Sequence, residues 1–197
     1  MPTGVHIRDV RKQLFDAAER VLFRDGPSAL TSRAVTTEAG VAKGVLHRHF
    51  EDFDAFLAEL VQDRVARVED RAAVLRQAAG RGTVGGNLVT ALTDLFDPIA
   101  VGILGLVVFR DGLRARLRQA GLPGVPVMSQ ASAMISAYLT DERALGRIAA
   151  DADVDSLALA LVGTGHLLFA GREPVEPGAI ERVVDTVMAD VVQRRLP

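Results

Sequence analysis

An all-α chain of nine or ten helices is predicted by three features of the sequence. Apolar residues recur at three- and four-residue spacing along every long segment, the period of a helix face. No stretch alternates apolar and polar residues as a half-buried strand would, and there is no internal repeat. Glycine and proline gather at a few places, Gly26-Pro27, 80–86, 97–98, 121–126 and 171–178, and cut the chain into helix-sized lengths.

The first helix runs from Ile7 to Asp25. Val10, Leu14, Ala17, Ala18, Val21 and Leu22 share one face, and Gly26-Pro27 stops it. Thr31 then caps a short helix by accepting a hydrogen bond from a free backbone N–H, and Gly40 supplies the positive φ needed to leave it. Val41 turns inward, and a second short helix follows from Ala42 to His49. On it Leu46 and Phe50, four apart, share the buried face, whereas Lys43 and His47 share the opposite face beside Gly44 and Arg48. The outward face is therefore basic and polar, with a glycine where a partner can approach closely. Two short helices about a tight turn form a helix-turn-helix, whose second helix enters the DNA major groove with such side chains.

The fourth helix starts near Asp52 and continues into the seventies, with Phe53, Phe56, Leu57, Leu60, Val61, Val65 and Val68 in one stripe. Starting at the head and ending in the body, it is the natural lever between them. Further helices are expected at 88–96, 99–119, 127–147 and 154–170, with a last one from 178 to 195. The domains are accordingly expected as 1–51, the helix-turn-helix head, and 52–197, a helical body.

The stretch Arg11 to Phe56 resembles the DNA-binding domain of the tetracycline-repressor (TetR) family. The residues that carry the likeness are Ala17-Ala18, Gly26, Thr31-Ser32, Ala39-Gly40-Val41, Lys43-Gly44 and His47-Arg48-His49-Phe50, in the family's order and spacing. On this resemblance Thr31, Ser32, Arg33, Lys43, Gly44, Val45, His47, Arg48 and His49 are the expected DNA-contacting residues. It also implies a double-stranded DNA operator, a small-molecule effector, a homodimer, a cytoplasmic location, and repression relieved by ligand as the default. Two heads would meet half-sites ~34–36 Å apart on a near-palindrome.

Three positions depart from the family pattern. Ala42 stands where a hydroxyl usually caps the recognition helix, which weakens its start by about 0.5–2 kcal/mol. His47 replaces the usual tyrosine, and a phosphate contact by an imidazole is pH-sensitive. Phe53, amid Glu51, Asp52 and Asp54, replaces a lysine that often touches phosphate; the acids suit a helix N-terminus but repel a DNA backbone. These departures imply DNA binding with fewer phosphate contacts, and they leave open the competing function, a helical ligand- or partner-binding protein whose head no longer grips DNA. Arg33, Lys43 and the intact Ala39-Gly40-Val41 turn argue for DNA.

Charge is divided in the same sense. Residues 1–50 carry eight Lys/Arg against five Asp/Glu, and the remainder fifteen against twenty.

In the last helix Ile180, Val183, Val184, Val187, Met188, Val191 and Val192 form a continuous apolar stripe. The helix before it is apolar nearly all round, with Ala160, Gly163 and Gly165 small enough for close approach. Either the chain's own core or a second copy must cover these faces. Pairing of the last two helices with their counterparts resembles the family, with Leu161, Gly165, Ile180, Val184, Val187 and Val191 at the interface. In the middle helices Phe96, Ile103, Phe109, Met128, Met134 and Phe169, with Tyr138 and His166 as polar groups, are the candidate walls of a pocket for a small, largely apolar ligand. Ordinary core packing accounts for the same residues.

The composition excludes several classes. There is no cysteine, so disulfides, thiolate catalysis and cysteine redox sensing are ruled out. The opening Met-Pro-Thr-Gly-Val-His-Ile-Arg-Asp lacks a long apolar core, so no signal peptide is expected. The longest apolar run, Ile99 to Phe109, has 11 residues where a bilayer takes about 20, so no membrane span is expected. Neither a Gly-x-Ser-x-Gly elbow nor a phosphate loop occurs, and no His-x-x-x-His pair, so no catalytic residues, cofactor or metal are expected. The arginine run Arg110, Arg114, Arg116 and Arg118 is expected to be a solvated face.

Overall fold

A computed structural model describes residues 3–96, 98–170 and 175–192. Among the described residues it contains ten α-helices and no strand: α1 (Thr3–Asp25), α2 (Ser32–Glu38), α3 (Gly44–His49), α4 (Phe53–Gln77), α5 (Val84–Leu95), α6 (Pro98–Phe109), α7 (Asp111–Gln119), α8 (Pro126–Ala144), α9 (Val154–Ala170) and α10 (Ala179–Met188). Asp97, Gly171 to Pro174 and the expected helix end at 193–195 lie outside the described residues. No single described helix is long and apolar enough to cross a membrane.

Of the boundaries that differ from expectation, three have a local reason. The helix expected over 99–119 is two, because Arg110 is extended (φ −121°, ψ 102°) and α7 restarts after it. Helix α5 begins earlier than residue 88 because the Thr83 hydroxyl caps it, accepting from the Gly86 N–H at 3.0 Å. Helix α10 ends at Met188 because the chain then pairs with 148–149, the Ala149 N–H donating to the Val191 carbonyl at 2.7 Å.

The chain folds as two compact units, Met1–Asp63 with Pro98–Val125, and Arg64–Asp97 with Pro126–Pro197. This differs from the expected division at 51/52. Helix α4 contributes residues to both units, and α6 and α7 belong with the helix-turn-helix. Helix α6 is too apolar for solvent, and it packs on α1, where Gly102 lies against the Leu22 side chain and Gly105 against Pro27. Ile103, Leu106, Leu113 and Leu117 are buried.

The core of the second unit combines Leu88, Leu92 and Leu95 of α5, Met134, Ile135 and Leu139 of α8, Ala158, Leu161 and Val162 of α9, and Ile180, Val184 and Met188 of α10. Helix α10 packs its stripe on α5 and α9. Of the residues expected at a subunit interface, four are covered within the chain itself and two are half-buried. Leu161, Gly165, Ile180 and Val184 are buried, Gly165 lies beneath the Phe96 ring, and Val187 and Val191 pack against the same core. The large apolar side chains that α9 leaves in solvent are Leu159 and Leu167, 67% and 73% exposed.

One buried polar network holds the turn after α4. Glu142, wholly buried, accepts from the Gly80 N–H at 3.3 Å and pairs with the Arg147 guanidinium at 3.3 Å. Arg147 also donates to the Gly82 carbonyl at 2.6 Å. Asn87 donates to the Ala78 and Arg81 carbonyls and to the Tyr138 hydroxyl. Burial, with Glu142 alongside, pushes the Tyr138 phenol well above its ordinary pKa. Breaking a buried ion pair from one side leaves the other charge uncompensated. Glu142→Ala is therefore expected to lower unfolding free energy by about 3–5 kcal/mol in urea titrations.

Candidate nucleic-acid interface

A helix of six residues cannot stand alone in water, so α3 is held by its neighbours. Leu46 is wholly buried and Phe50 nearly so. Phe50 lies 6.0 Å from Phe15 and 5.0 Å edge-on from Phe56, ring centre to centre, and Phe15 lies 5.6 Å from Phe56. Arg11 reaches from α1 over the Phe50 ring at 4.4 Å, donates to the His49 carbonyl at 3.1 Å and pairs with Glu59. Helix α2 is fixed from the same side, with Gln13 donating to the Ala39 carbonyl at 2.8 Å and Arg20 and Arg24 both pairing with Glu38.

The turn follows the sequence. Thr31 caps α2 by accepting from the Ala34 N–H at 3.1 Å, and Gly40 has φ +68°, which suits glycine alone at low cost. The Val41 N–H closes back on the Thr36 carbonyl at 3.0 Å. Helix α3 starts at Gly44 rather than Ala42, and no side chain caps it. Its first turn begins without the hydroxyl that Ala42 lacks.

Of the residues expected to contact DNA, Thr31, Arg33, Lys43, Gly44, His47 and Arg48 are exposed, and Val45 and His49 are half-buried. A Cβ at Gly44 would meet nothing within 4 Å, so the chain's own packing does not require glycine there. Ser32 departs from expectation: its hydroxyl oxygen is shielded from solvent, which leaves it unavailable to a phosphate. Among the described residues no group of three or more His, Asp or Glu could hold a metal.

The acids after α3 do not stand free. Arg116 of α7 pairs with Glu51 at 3.1 Å and with Asp52, and Arg110 pairs with Asp54 at 3.0 Å while lying 5.4 Å over the Phe53 ring. Asp52 also caps α4, accepting from the Ala55 N–H at 2.7 Å; that bond, followed by Arg116, holds its carboxyl below the usual range. The arginine run expected as a solvated face is thus partly spent on these pairs. Its only trace in the sequence is the sign of the charges, four arginines over 110–118 against three acids at 51–54.

The candidate ligand residues fall into three groups. Phe96 stacks on Phe169 at 5.9 Å and lies 6.3 Å from the His166 ring, whose imidazole burial holds below its ordinary pKa. Met134 and Tyr138 are core, and Met128 lines an open groove of about 740 Å³ between α8 and α9. Ile103 and Phe109 belong to the other compact unit, Ile103 buried and Phe109 86% exposed, so Phe109 forms no interior wall.

Leu46 decides whether the outward face of α3 exists at all. Leu46→Ala is expected to cost about 2–5 kcal/mol in thermal or urea unfolding, as a fully buried leucine truncated in a close-packed site does.

Residues 14–60 match the family model described as bacterial regulatory proteins, tetR family. An uncharacterized HTH-type transcriptional regulator of Haemophilus influenzae is 33% identical over 94 residues, 47% of this chain and 44% of that protein, so the chain spans less than half of this relative. Among solved structures, reduced NemR of E. coli superposes with a TM-score of 0.75 over 95% of this chain and 100% of that one, at 15% identity. FadR of Bacillus subtilis in complex with stearoyl-CoA gives a TM-score of 0.67 over 91% of this chain and 98% of that one, at 17% identity. At such identities the likeness is one of fold, which here extends from α1 to α10. The helix-turn-helix region is thus similar in sequence to the tetR family of bacterial regulatory proteins, and the chain as a whole is similar in fold to these solved structures.

Proposed function

We propose that this protein is a ligand-responsive transcription regulator, a dimer that represses from a near-palindromic operator and is released by a small, largely apolar effector. The observation that carries it is the outward face of α3, where Lys43, Gly44, His47 and Arg48 stand in solvent on a helix locked to α1 by Leu46, Phe50 and Arg11. Arg33 and Thr31 add polar groups at the start of α2. A short rigid helix with small and basic outward residues suits entry into a major groove.

A second copy is proposed to cover the α8–α9 face. Met128, Ala133, Ala137, Leu159, Val162 and Gly163 line an open groove there, and Leu159 and Leu167 stand out from α9. Small residues beside projecting leucines favour close antiparallel packing into a four-helix interface. For the effector, the Phe96, His166 and Phe169 rings supply apolar walls with a neutral imidazole as donor or acceptor. The stearoyl-CoA bound by a structural neighbour supports an effector with a large apolar part. Release requires that the effector prefer a conformation in which the two recognition helices do not fit adjacent grooves; equal affinity for both conformations would shift nothing. Helix α4, one unbroken helix of 25 residues with its start in one compact unit and its end in the other, is the element through which that preference is passed.

Selection from a pool of random duplex DNA at fixed moderate salt tests the assignment: enrichment of a near-palindrome is expected. No enrichment even at low salt would leave a helical ligand-binding protein instead. On the selected operator, Lys43→Ala and Arg33→Ala are each expected to weaken binding by about tenfold and to reduce the salt dependence by about one phosphate contact. Leu159→Arg with Leu167→Arg is expected to yield monomers in analytical ultracentrifugation, with the helical content retained.

A further inference from the structure

We infer that Arg116 and Arg110 are positioning residues for DNA binding, acting by neutralising the acidic junction that follows the recognition helix. The inference rests on the DNA-binding function proposed above. Glu51, Asp52 and Asp54 occupy three of the four positions immediately after Phe50, and Glu51 and Asp52 are 78% and 50% exposed. Uncompensated, they would set negative charge beside the helix that must lie against a polyanion.

The junction cannot simply lose its acids, because Asp52 has a structural task. One of its carboxylate oxygens caps α4 by accepting from the Ala55 N–H at 2.7 Å. The Arg116 guanidinium takes the other, and its second nitrogen reaches Glu51 at 3.1 Å, so one cation serves two anions through a planar fork. Arg110 makes the second fork, with Nε and Nη2 at 3.1 and 3.0 Å from the same Asp54 oxygen.

Two backbone features of the α6–α7 segment make these forks possible. The extended conformation of Arg110, which splits the helix expected over 99–119, brings its side chain across the Phe53 ring. At Gly112, a Cβ would stand 2.4 Å from the second oxygen of Asp54, so a larger residue there would displace that carboxylate from its present place. All the residues involved belong to one compact unit. Partly exposed ion pairs contribute little to folding, so stability is a poor explanation for two such forks on one short junction. Their effect is on the charge presented beside α3.

The test is fluorescence anisotropy of the full-length protein on a labelled random-sequence duplex, at low and at moderate salt. Arg116→Gln is expected to weaken binding about three- to tenfold, the scale of one or two exposed charges near phosphate, with its thermal midpoint unchanged. Adding Glu51→Gln and Asp52→Asn, the latter keeping a capping oxygen, is expected to restore affinity to within about twofold of the parent. In the otherwise native protein the same pair of acid substitutions frees the Arg116 charge and is expected to tighten binding about threefold. An Arg116→Gln protein that binds like the parent, or a loss that the acid substitutions leave unrepaired, overturns the inference in favour of a purely structural role. Should Arg116→Gln fail to fold, the acid pair alone decides: unchanged or weaker binding overturns the inference. If the parent itself binds no duplex at low salt, the DNA-binding function fails first, and the inference falls with it.

Discussion

The structure of the head follows from the fact that α3 is too short to be a helix by itself. Six residues, started by neither a side-chain cap nor an acid, are helical only because Leu46 and Phe50 are driven into a core shared with Phe15 of α1 and Phe56 of α4. Once those two side chains are placed, the helical period leaves Lys43, His47 and Arg48 nowhere to go but outward. Arg11 completes the arrangement through its alkyl stem and guanidinium together, covering Phe50 and holding the His49 carbonyl, one of the orphan acceptors at the end of α3.

Electrostatics in this unit are arranged by pairing more than by net charge. Glu38 answers Arg20 and Arg24, Glu59 answers Arg11, and the three acids after α3 answer Arg110 and Arg116. The cations left in solvent along α2 and α3, Arg33, Lys43 and Arg48, are the ones the proposed DNA-contacting face requires. A modest basic excess in the first fifty residues thereby becomes a localised one.

Much of this was legible in the sequence because it depends on local rules. Thr31, Gly40 and the four-residue spacing of Leu46 and Phe50 specify the turn and its inward side without reference to anything distant. What was not legible depends on partners far along the chain. The Arg110 kink has no glycine or proline at its centre; it is stabilised by Asp54, 56 residues earlier. Ser32 is a polar residue at an exposed-looking position whose hydroxyl the fold covers. Periodicity puts the stripe of α10 on one face, but it does not say whether a face is covered by the same chain or by another. Ile180 and Val184 meet α5 and α9, and two leucines of α9, Leu159 and Leu167, are among the large apolar side chains left uncovered.

The first unit is discontinuous in sequence, and this bears on how such proteins can be recombined. A head excised at residue 51 would leave behind Phe56, Leu57 and Leu60, whose side chains are wholly buried, and the entire α6–α7 segment with Arg110 and Arg116. A functional transplant onto a foreign body would need two pieces of this chain, one ending inside α4 and one running from Pro98 to Val125. Drift in the body of such a protein is thereby constrained unevenly, since a stretch a hundred residues from the amino terminus carries part of the head's own interior.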